Sequence, residues 1–268
     1  MSPHIKRWLS GVIAVPILFA VIFYGSESVF TAFIIVIIFG AVIEYNRMVF
    51  SGGFTWEKVQ GLILAVMIPL TIFTGDVRLI LAVITFSVLI VFSVFILRLK
   101  STSYDIIPVS KLVLGFMYIP FMLSHFIMLR LSGDGVIWIF FILVLAFSGD
   151  IAAFYVGKSI GKRKLCPLVS PGKTVEGMIG LLVGSILGCI LFRNIFYPTL
   201  PMIHAIILGF LGGILGQIGD LCESAIKRSS GVKDSGSLVL GHGGLLDRLD
   251  CLIFIAPFVY YYRLFVVT

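Results

Sequence analysis

The sequence predicts an all-α polytopic integral membrane protein with about nine transmembrane helices and a cytoplasmic N-terminus. Of its 268 residues, 59% are hydrophobic and only 12% are charged, whereas ordinary soluble domains carry about 25% charged residues. A soluble fold of this length would expose too much apolar surface to water. The apolar residues also form long unbroken runs, which excludes the alternating strands of a membrane barrel.

Nine apolar runs account for the predicted helices, and most are long enough to cross a hydrocarbon layer of about 30 Å. The runs are Trp8–Tyr24, Val29–Val49, Val59–Thr74, Val77–Leu97, Leu112–Leu129, Val136–Val156, Met178–Phe192, Ile203–Leu221 and Leu252–Val266. The third is the weakest, because it is short and contains Pro69. The first follows Lys6 and Arg7, and we favour a retained helix over a signal peptide because the run is long and no small-x-small site follows it.

The distribution of Lys and Arg sets the predicted orientation. With the N-terminus inside, sixteen of the twenty Lys and Arg residues fall on the cytoplasmic side, and the exceptions are Arg78, Arg130, Arg193 and Arg263. The net charge of +7 therefore follows membrane topology, and we expect no nucleic-acid partner. The four cysteines have no paired spacing, which predicts free thiols. We expect the protein in the cytoplasmic (inner) membrane.

The character of the chain changes along its length, which predicts three parts. Residues 1–110 hold N-terminal transmembrane helices joined by short loops. Residues 111–174 hold the middle helices and a basic cytoplasmic loop. Residues 175–268 hold the C-terminal helices and the most polar stretch of the sequence.

Acidic residues within apolar runs are costly in lipid and usually functional. Glu44, Asp150 and Asp220 all lie toward the cytoplasmic ends of their runs, and Glu176 and the pair Asp247 and Asp250 stand where two later runs begin. For Glu44, an interfacial residue that reaches water is an equally good interpretation. Glycines also recur every four residues in runs seven and eight, which indicates close helix packing. They are Gly180, Gly184, Gly188, Gly209, Gly213, Gly212 and Gly216.

The last polar stretch combines several groups that bind phosphate or metal. If the eighth helix continues past the membrane, Asp220, Glu223, Ser224 and Lys227 share one face at spacings i, i+3, i+4 and i+7. Carboxylates bind divalent cations, Lys and Arg neutralise phosphate oxygens, and glycines let backbone N–H groups approach a phosphate. The combination predicts a site for a metal-bound polyphosphate. The segment Ser170–Gly177 adds Lys173 at a helix start, without the spacing of a P-loop.

These residues resemble the motifs of the phosphatidate cytidylyltransferase family, also called CDP-diacylglycerol synthases. The resemblance is strong from about Ser148 to Asp250. The motifs that carry it are Ser148-Gly149-Asp150, Ser170-Pro171-x-Lys173-Thr174-x-Glu176-Gly177, Gly219-Asp220-x-x-Glu223-Ser224-Ala225-Ile226-Lys227-Arg228, Lys233-Asp234, His242-Gly243-Gly244 and Asp247-Arg248-Leu249-Asp250.

The resemblance implies an enzyme that converts CTP and phosphatidate into CDP-diacylglycerol and pyrophosphate with Mg²⁺, with room for a second, monovalent cation such as K⁺. It also implies a homodimer. On this interpretation the metal ligands are Asp220 and Asp247, followed by Asp250 and Asp150. The phosphates of CTP or lipid contact Lys173, Lys227, Arg228, Lys233 and Arg248. Ser224 donates to a phosphate or completes a metal shell, and His242, Gly243 and Gly244 shape the nucleotide loop. Asp234 belongs to the substrate site, or pairs with Lys233 or Arg228.

Three other functions remain open from the residues. A CTP-dependent lipid-alcohol kinase would use the same site on a hydroxyl acceptor and would release CDP. A cation-coupled transporter would use Asp150 and Asp220 as an ion path. It would place broken helices at the midplane of the membrane, whereas the acids of this sequence lie toward one face. A non-catalytic membrane scaffold would leave the clustered acids unexplained.

Overall fold

The computed structural model describes residues 3–50, 52–53, 55–99, 105–238 and 243–267. The described chain is mainly helical. Its helices are α1 (Pro3–Tyr24), α2 (Glu27–Val49), α3 (Trp56–Phe73), α4 (Val77–Leu97), α5 (Ile107–Phe116), α6 (His125–Arg130), α7 (Gly135–Ile160), α8 (Val175–Phe196), α9 (Met202–Ser229) and α10 (Asp250–Tyr262). Single π-helical turns cover Met117–Phe121 and Arg263–Val267, and a 3₁₀ turn covers Leu246–Arg248.

Eight of the nine predicted membrane helices are confirmed. Among the described residues, eight helical segments are long and apolar enough to span a membrane, and they correspond to the second to ninth predicted runs. The first run lies in α1, whose described apolar part is Ala14–Tyr24. The helical segment that corresponds to the fifth run, Leu112–Leu129, spans Ile107–Arg130 and contains Pro120 within its π-helical turn. Proline lacks a backbone N–H, so the regular α-helical ladder cannot continue through that residue.

The chain forms two compact units. The first comprises residues 1–131 together with residues 234–246, and the second comprises residues 132–233 together with residues 247–268. The first unit holds α1 to α6, and the second holds α7 to α10. These borders differ from residues 110 and 174, and the three-part functional division of the chain stays a prediction.

Small residues bring the helices of the second unit together, as the glycine spacing predicts. A Cβ on Gly180 would lie 2.7 Å from the Val156 side chain of α7, and one on Gly209 would lie 2.7 Å from the backbone of Ile186 in α8. A Cβ on Gly216 would lie 2.9 Å from Ile255 of α10. These helices therefore approach closely at the glycines, which larger side chains would prevent.

A short β-hairpin stands where the sequence predicted only a basic loop. Strands β1 (Lys164–Cys166) and β2 (Ser170–Thr174) pair antiparallel, with Lys164 opposite Thr174 and Cys166 opposite Ser170. The three residues between the strands include Pro167, and Pro171 and Gly172 lie within β2. Proline and glycine are typical of loops, and this stretch does not show the alternation of apolar and polar residues that predicts a strand. The four cysteines are free thiols, as predicted.

A cluster around Asp134 joins the ends of three helices in the second unit. Asp134 accepts hydrogen bonds from Trp138 Nε1 at 2.8 Å, Tyr197 Oη at 2.9 Å and Arg263 Nε at 2.9 Å. Partial burial disfavours the charged form of Asp134, but these hydrogen bonds and the Arg263 charge outweigh it, so the pKa lies below its ordinary value. The cluster ties α7, α8 and α10 together at this end.

Candidate functional site

The base of the hairpin fixes the position of Lys173. Thr174 caps α8, and its Oγ1 accepts a hydrogen bond from the Gly177 N–H at 3.0 Å. The Glu176 carboxylate accepts from the backbone N–H groups of Lys162 at 2.9 Å and Arg163 at 3.2 Å. The chain just before α8 is therefore held at several points, and the Lys173 ammonium forms an ion pair with Asp220 of α9.

A pocket of about 320 Å³ lies beside this ion pair, within the second unit. One part of its wall is polar and another is apolar, a mixture that suits a ligand with a charged head and a hydrophobic body. Lys158 lies over the Phe154 ring, with its Nζ 5.7 Å from the ring centroid. The lining residues are Asp150, Ala153, Phe154, Gly157, Lys158, Gly172, Lys173, Thr174, Gly177, Met178, Leu181, Gln217 and Asp220.

Three aspartates from three helices form a group that we call the carboxylate group: Asp150 of α7, Asp220 of α9 and Asp250 of α10. They lie within electrostatic reach of one another and of Lys173. A close helix contact supports the group, because a Cβ on Gly219 would lie only 2.5 Å from the Asp250 carbonyl oxygen. Three carboxyl groups here lie near the Lys173 ammonium, which makes the carboxylate group a candidate for a cation.

Asp247 belongs to a second charged group. The Lys227 ammonium contacts Asp247 Oδ1 at 2.6 Å and also forms an ion pair with Glu223 one helical turn earlier. The Glu223 side chain is fully buried. We call Lys227, Glu223 and Asp247 the lysine group. The shared face of α9 is confirmed by the continuous helix to Ser229, whereas the joint metal role of Asp220 and Asp247 stays a prediction.

Ser224 and Arg228 also have protein contacts. Ser224 Oγ lies 3.4 Å from Asp220 Oδ1. The Arg228 guanidinium donates to the carbonyl oxygens of Val169 at 3.2 Å and Val232 at 3.1 Å, so it supports the hairpin and the chain after α9. Their predicted contacts with substrate stay predictions.

The remaining predicted residues follow α9. Lys233, Asp234 and Arg248 are exposed. Gly243 has φ of +83°, a conformation that favours glycine, and Gly244 is buried. His242 lies outside the described residues.

Glu44 has a role that the sequence left open, because it is a buried anchor rather than a residue that reaches water. It is 1% exposed. Its carboxylate accepts from Ser235 Oγ at 3.1 Å, the Leu238 N–H at 3.2 Å and the Leu246 N–H at 2.9 Å. In the first unit, Glu44 therefore holds both ends of the segment 234–246, which carries the His-Gly-Gly motif.

Gln217 was missed by sequence reasoning, although its position contained a signal. It lies three residues before Asp220 on the same face of α9, and it is a polar residue within an apolar run. The side chain lines the pocket and is 7% exposed. Glu223 was placed on the correct face, but its full burial depends on packing that the sequence does not display.

A sequence model described as "Cytidylyltransferase family" matches residues 5–266. The chain belongs to this family. It is 34% identical over 261 residues to a phosphatidate cytidylyltransferase from Bacillus subtilis, with 96% of each chain covered. It is 32% identical over 287 aligned positions to a protein of that name from Synechocystis, covering 96% of this chain and 95% of the relative.

A shorter match falls on part of this cytidylyltransferase-family chain. A phosphatidate cytidylyltransferase from Haemophilus influenzae is 40% identical over 136 residues, which are 49% of this chain and 47% of the relative. The two longer matches show that the likeness extends over both compact units.

Proposed function

We propose that this protein is a membrane-bound phosphatidate cytidylyltransferase. In this reaction a phosphate oxygen of phosphatidate attacks the α-phosphorus of CTP. A new P–O bond joins lipid and cytidylyl group, the bond between the α-phosphorus and its bridging oxygen breaks, and pyrophosphate leaves. The products are CDP-diacylglycerol and pyrophosphate. The observation that carries the proposal is the likeness, over 96% of the chain, to relatives of this name.

The chemistry of the pocket supports the proposal. Phosphatidate already carries an anionic oxygen, so the reaction needs no strong general base. The main difficulty is to bring two anions together and to stabilise charge on the phosphoryl oxygens. Lys158 and Lys173 offer positive charge in the pocket wall, and Phe154, Met178 and Leu181 offer apolar surface for a lipid.

The carboxylate group fits a Mg²⁺ ion in its donor chemistry. Asp150, Asp220 and Asp250 supply hard oxygen ligands and an excess of negative charge. Among the described residues no three His, Cys, Asp or Glu side chains are arranged to hold a metal ion by themselves. Mg²⁺ commonly binds through one or two carboxylates together with substrate phosphates. When bound, Mg²⁺ supplies neutralisation of charge on the phosphoryl oxygens. A second, monovalent cation stays a prediction.

The other assignments follow from the same reaction. The Lys173 ammonium neutralises the Asp220 carboxylate before substrate binds. Once substrate is bound, the ammonium donates to a phosphate oxygen instead. The glycine conformation at Gly243 suits a loop whose backbone approaches the nucleotide. Lys227 of α9 and Asp247 of the turn before α10 supply further charged groups for the same reaction.

The site faces the cytoplasm in this proposal. CTP is a soluble cytoplasmic nucleotide, and the distribution of Lys and Arg puts the ends of α7 and α9 that carry Lys158 and Lys227 on that side. The protein then lies in the cytoplasmic membrane. A homodimer is also proposed, on the family likeness alone.

A label-transfer assay tests the function directly. Purified protein in detergent is incubated with phosphatidate, diacylglycerol, Mg²⁺ and CTP labelled in either the cytidine or the γ-phosphate. We expect cytidine label in the lipid fraction and release of pyrophosphate. Transfer of the γ-label to diacylglycerol would instead identify a kinase, and transfer of neither label by protein that binds CTP would reject both.

Variants test the site within the same assay. Asp220→Asn is expected to reduce transfer by several orders of magnitude, because it removes a charge from the carboxylate group while the protein still inserts. Asp105→Asn is the matched control, since Asp105 is exposed and accepts from the Ile107 N–H at 2.9 Å, which an amide oxygen also does. Near-normal activity of Asp220→Asn, or full activity in EDTA, would reject the metal assignment.

A further inference from the structure

Gln217 carries a buried hydrogen-bond donor that has no acceptor among the described residues. It lies on α9, one helical turn before Asp220, and is 7% exposed. Its Nε2 is buried and donates to no acceptor within the described residues. An unsatisfied buried donor destabilises the folded protein, because its hydrogen bond to water is lost and not replaced. An apolar side chain would avoid this cost, so the amide is expected to have a ligand partner.

The surroundings of Gln217 indicate the kind of ligand. A small cavity of about 10 Å³ continues from the pocket between α7, α8, α9 and α10, and Gln217, Asp150 and Leu181 line both. Most of the cavity wall is apolar, including Leu145 and Ile255. The Ser185 hydroxyl at this level already donates to the Leu145 carbonyl at 3.1 Å. The unused amide therefore lies beside apolar side chains in the small cavity, whereas Lys158 and Lys173 line only the larger pocket.

We infer that Gln217 Nε2 donates a hydrogen bond to an ester carbonyl oxygen of the bound phosphatidate. This inference rests on the proposed function. A phosphate is an anion and is best bound by the two lysines. An ester carbonyl is a neutral acceptor located between the phosphate and the acyl chains, so a neutral amide binds it without burying a net charge. Gln217 thus makes the pocket selective for ester-linked lipids over ether-linked lipids, which lack the carbonyl.

The cytidine of CTP also carries neutral acceptors, on its base and ribose, so the experiment must distinguish the two substrates. The apolar wall beside Gln217 favours the lipid. The expected preference for the ester substrate is about tenfold in kcat/KM, a factor typical of one neutral hydrogen bond that is lost together with its acceptor.

The test compares dioleoyl phosphatidate with its di-O-alkyl analogue in mixed micelles. For the wild-type protein we expect about tenfold higher kcat/KM on the ester lipid. Gln217→Leu is expected to lower the ester value to that of the ether and to leave the ether value within about twofold. Gln60→Leu is the matched control, because Gln60 Nε2 is also buried without a partner among the described residues but lines the groove between α3 and α4. It should retain the wild-type preference.

Several outcomes would overturn the inference. Equal kcat/KM of the wild-type protein on both lipids would show that the amide does not bind the ester carbonyl. The same conclusion would follow if Gln217→Leu lowered kcat/KM by the same factor on both lipids. A rise in KM for CTP at unchanged lipid preference would assign the amide to the nucleotide. Gln217→Met, which keeps the unbranched shape, repeats the test if the leucine variant does not fold. Wild-type protein without transfer to either lipid would instead reject the proposed function.

Discussion

Substitution of Glu44 tests how the segment 234–246 is held. Glu44 Oε2 accepts from Ser235 Oγ and from the Leu246 N–H, and Oε1 accepts from the Leu238 N–H. The contact is tight, because a Cβ on Gly236 would clash with the carboxylate. Glu44→Gln keeps the shape of the side chain but replaces one acceptor oxygen with a donor. We therefore expect the segment to open more often.

The size of the effect follows from the lost hydrogen bonds. A hydrogen bond to a charged acceptor contributes about 1.5–3 kcal/mol. Whichever way the new side-chain amide of Glu44→Gln turns, its nitrogen faces at least one backbone N–H, whereas a hydroxyl such as that of Ser235 can donate or accept. The expected cost is about 2–4 kcal/mol, which corresponds to roughly 30- to 1,000-fold faster exchange of the Leu238 and Leu246 amides.

Hydrogen exchange measured by mass spectrometry on detergent-solubilised protein reports these two amides directly. Because Gly243 and Gly244 lie in the same segment, KM for CTP is also expected to rise more than kcat falls. Glu27→Gln is the matched control, since Glu27 lies exposed at the start of the same helix. Unchanged exchange at Leu238 and Leu246 in Glu44→Gln would refute the anchoring role.

Three further changes test charge and packing in the second unit. Lys227→Met is expected to lower stability by about 3–5 kcal/mol, because the buried Glu223 loses its compensating charge. Gly219→Ala is expected to lower both melting temperature and cytidylyl transfer, because the new Cβ would lie 2.5 Å from the Asp250 carbonyl and push α9 from α10. Asp134 is partly buried but hydrogen-bonded in its charged form, so its pKa is lowered. Its stabilising effect is present above a pH of about 4 and is lost as the pH falls through the lowered pKa.

Each of these changes has its own control, read from melting curves in detergent. Adding Glu223→Gln to Lys227→Met should recover part of the lost stability, and no recovery would contradict the charge argument. Gly53→Ala should be neutral, because a Cβ there meets nothing within 4 Å. Asp134→Asn should lose part of the acid sensitivity below about pH 4, and an unchanged acid profile would contradict the lowered pKa.

The helices could be predicted from sequence because apolar runs in lipid have few alternatives. The predicted run Val77–Leu97 has the same bounds as α4. The hairpin could not be predicted, since its stability depends on distant contacts. Glu176 binds the backbone of Lys162 and Arg163, and the Val175 N–H donates to the Arg163 carbonyl at 2.9 Å. These contacts join the residues just before the hairpin to those just after it, and such contacts leave no local sequence pattern in a polar loop.

The candidate site was predictable in its residue types but not in its pairings. Helical spacing places Asp220, Glu223 and Lys227 on one face of α9. It does not tell which carboxylate pairs with Lys227 and which with Lys173, because Lys173 comes from the hairpin and Asp247 from the turn before α10. Those choices depend on how separate segments pack.

Packing and chemistry coincide at the glycines beside the aspartates. From the sequence, the glycine spacing indicated helix packing, and the acids were a separate signal. In the structure Gly149 precedes Asp150 and Gly219 precedes Asp220, and a Cβ on either would collide with the neighbouring helix. A close helix contact in each case is therefore one residue from a member of the carboxylate group. Gly149 lets α7 approach α8, and Gly219 lets α9 approach α10, so that Asp220 and Asp250 come within electrostatic reach of each other. Two like charges at this distance are costly unless a cation or the Lys173 ammonium compensates them.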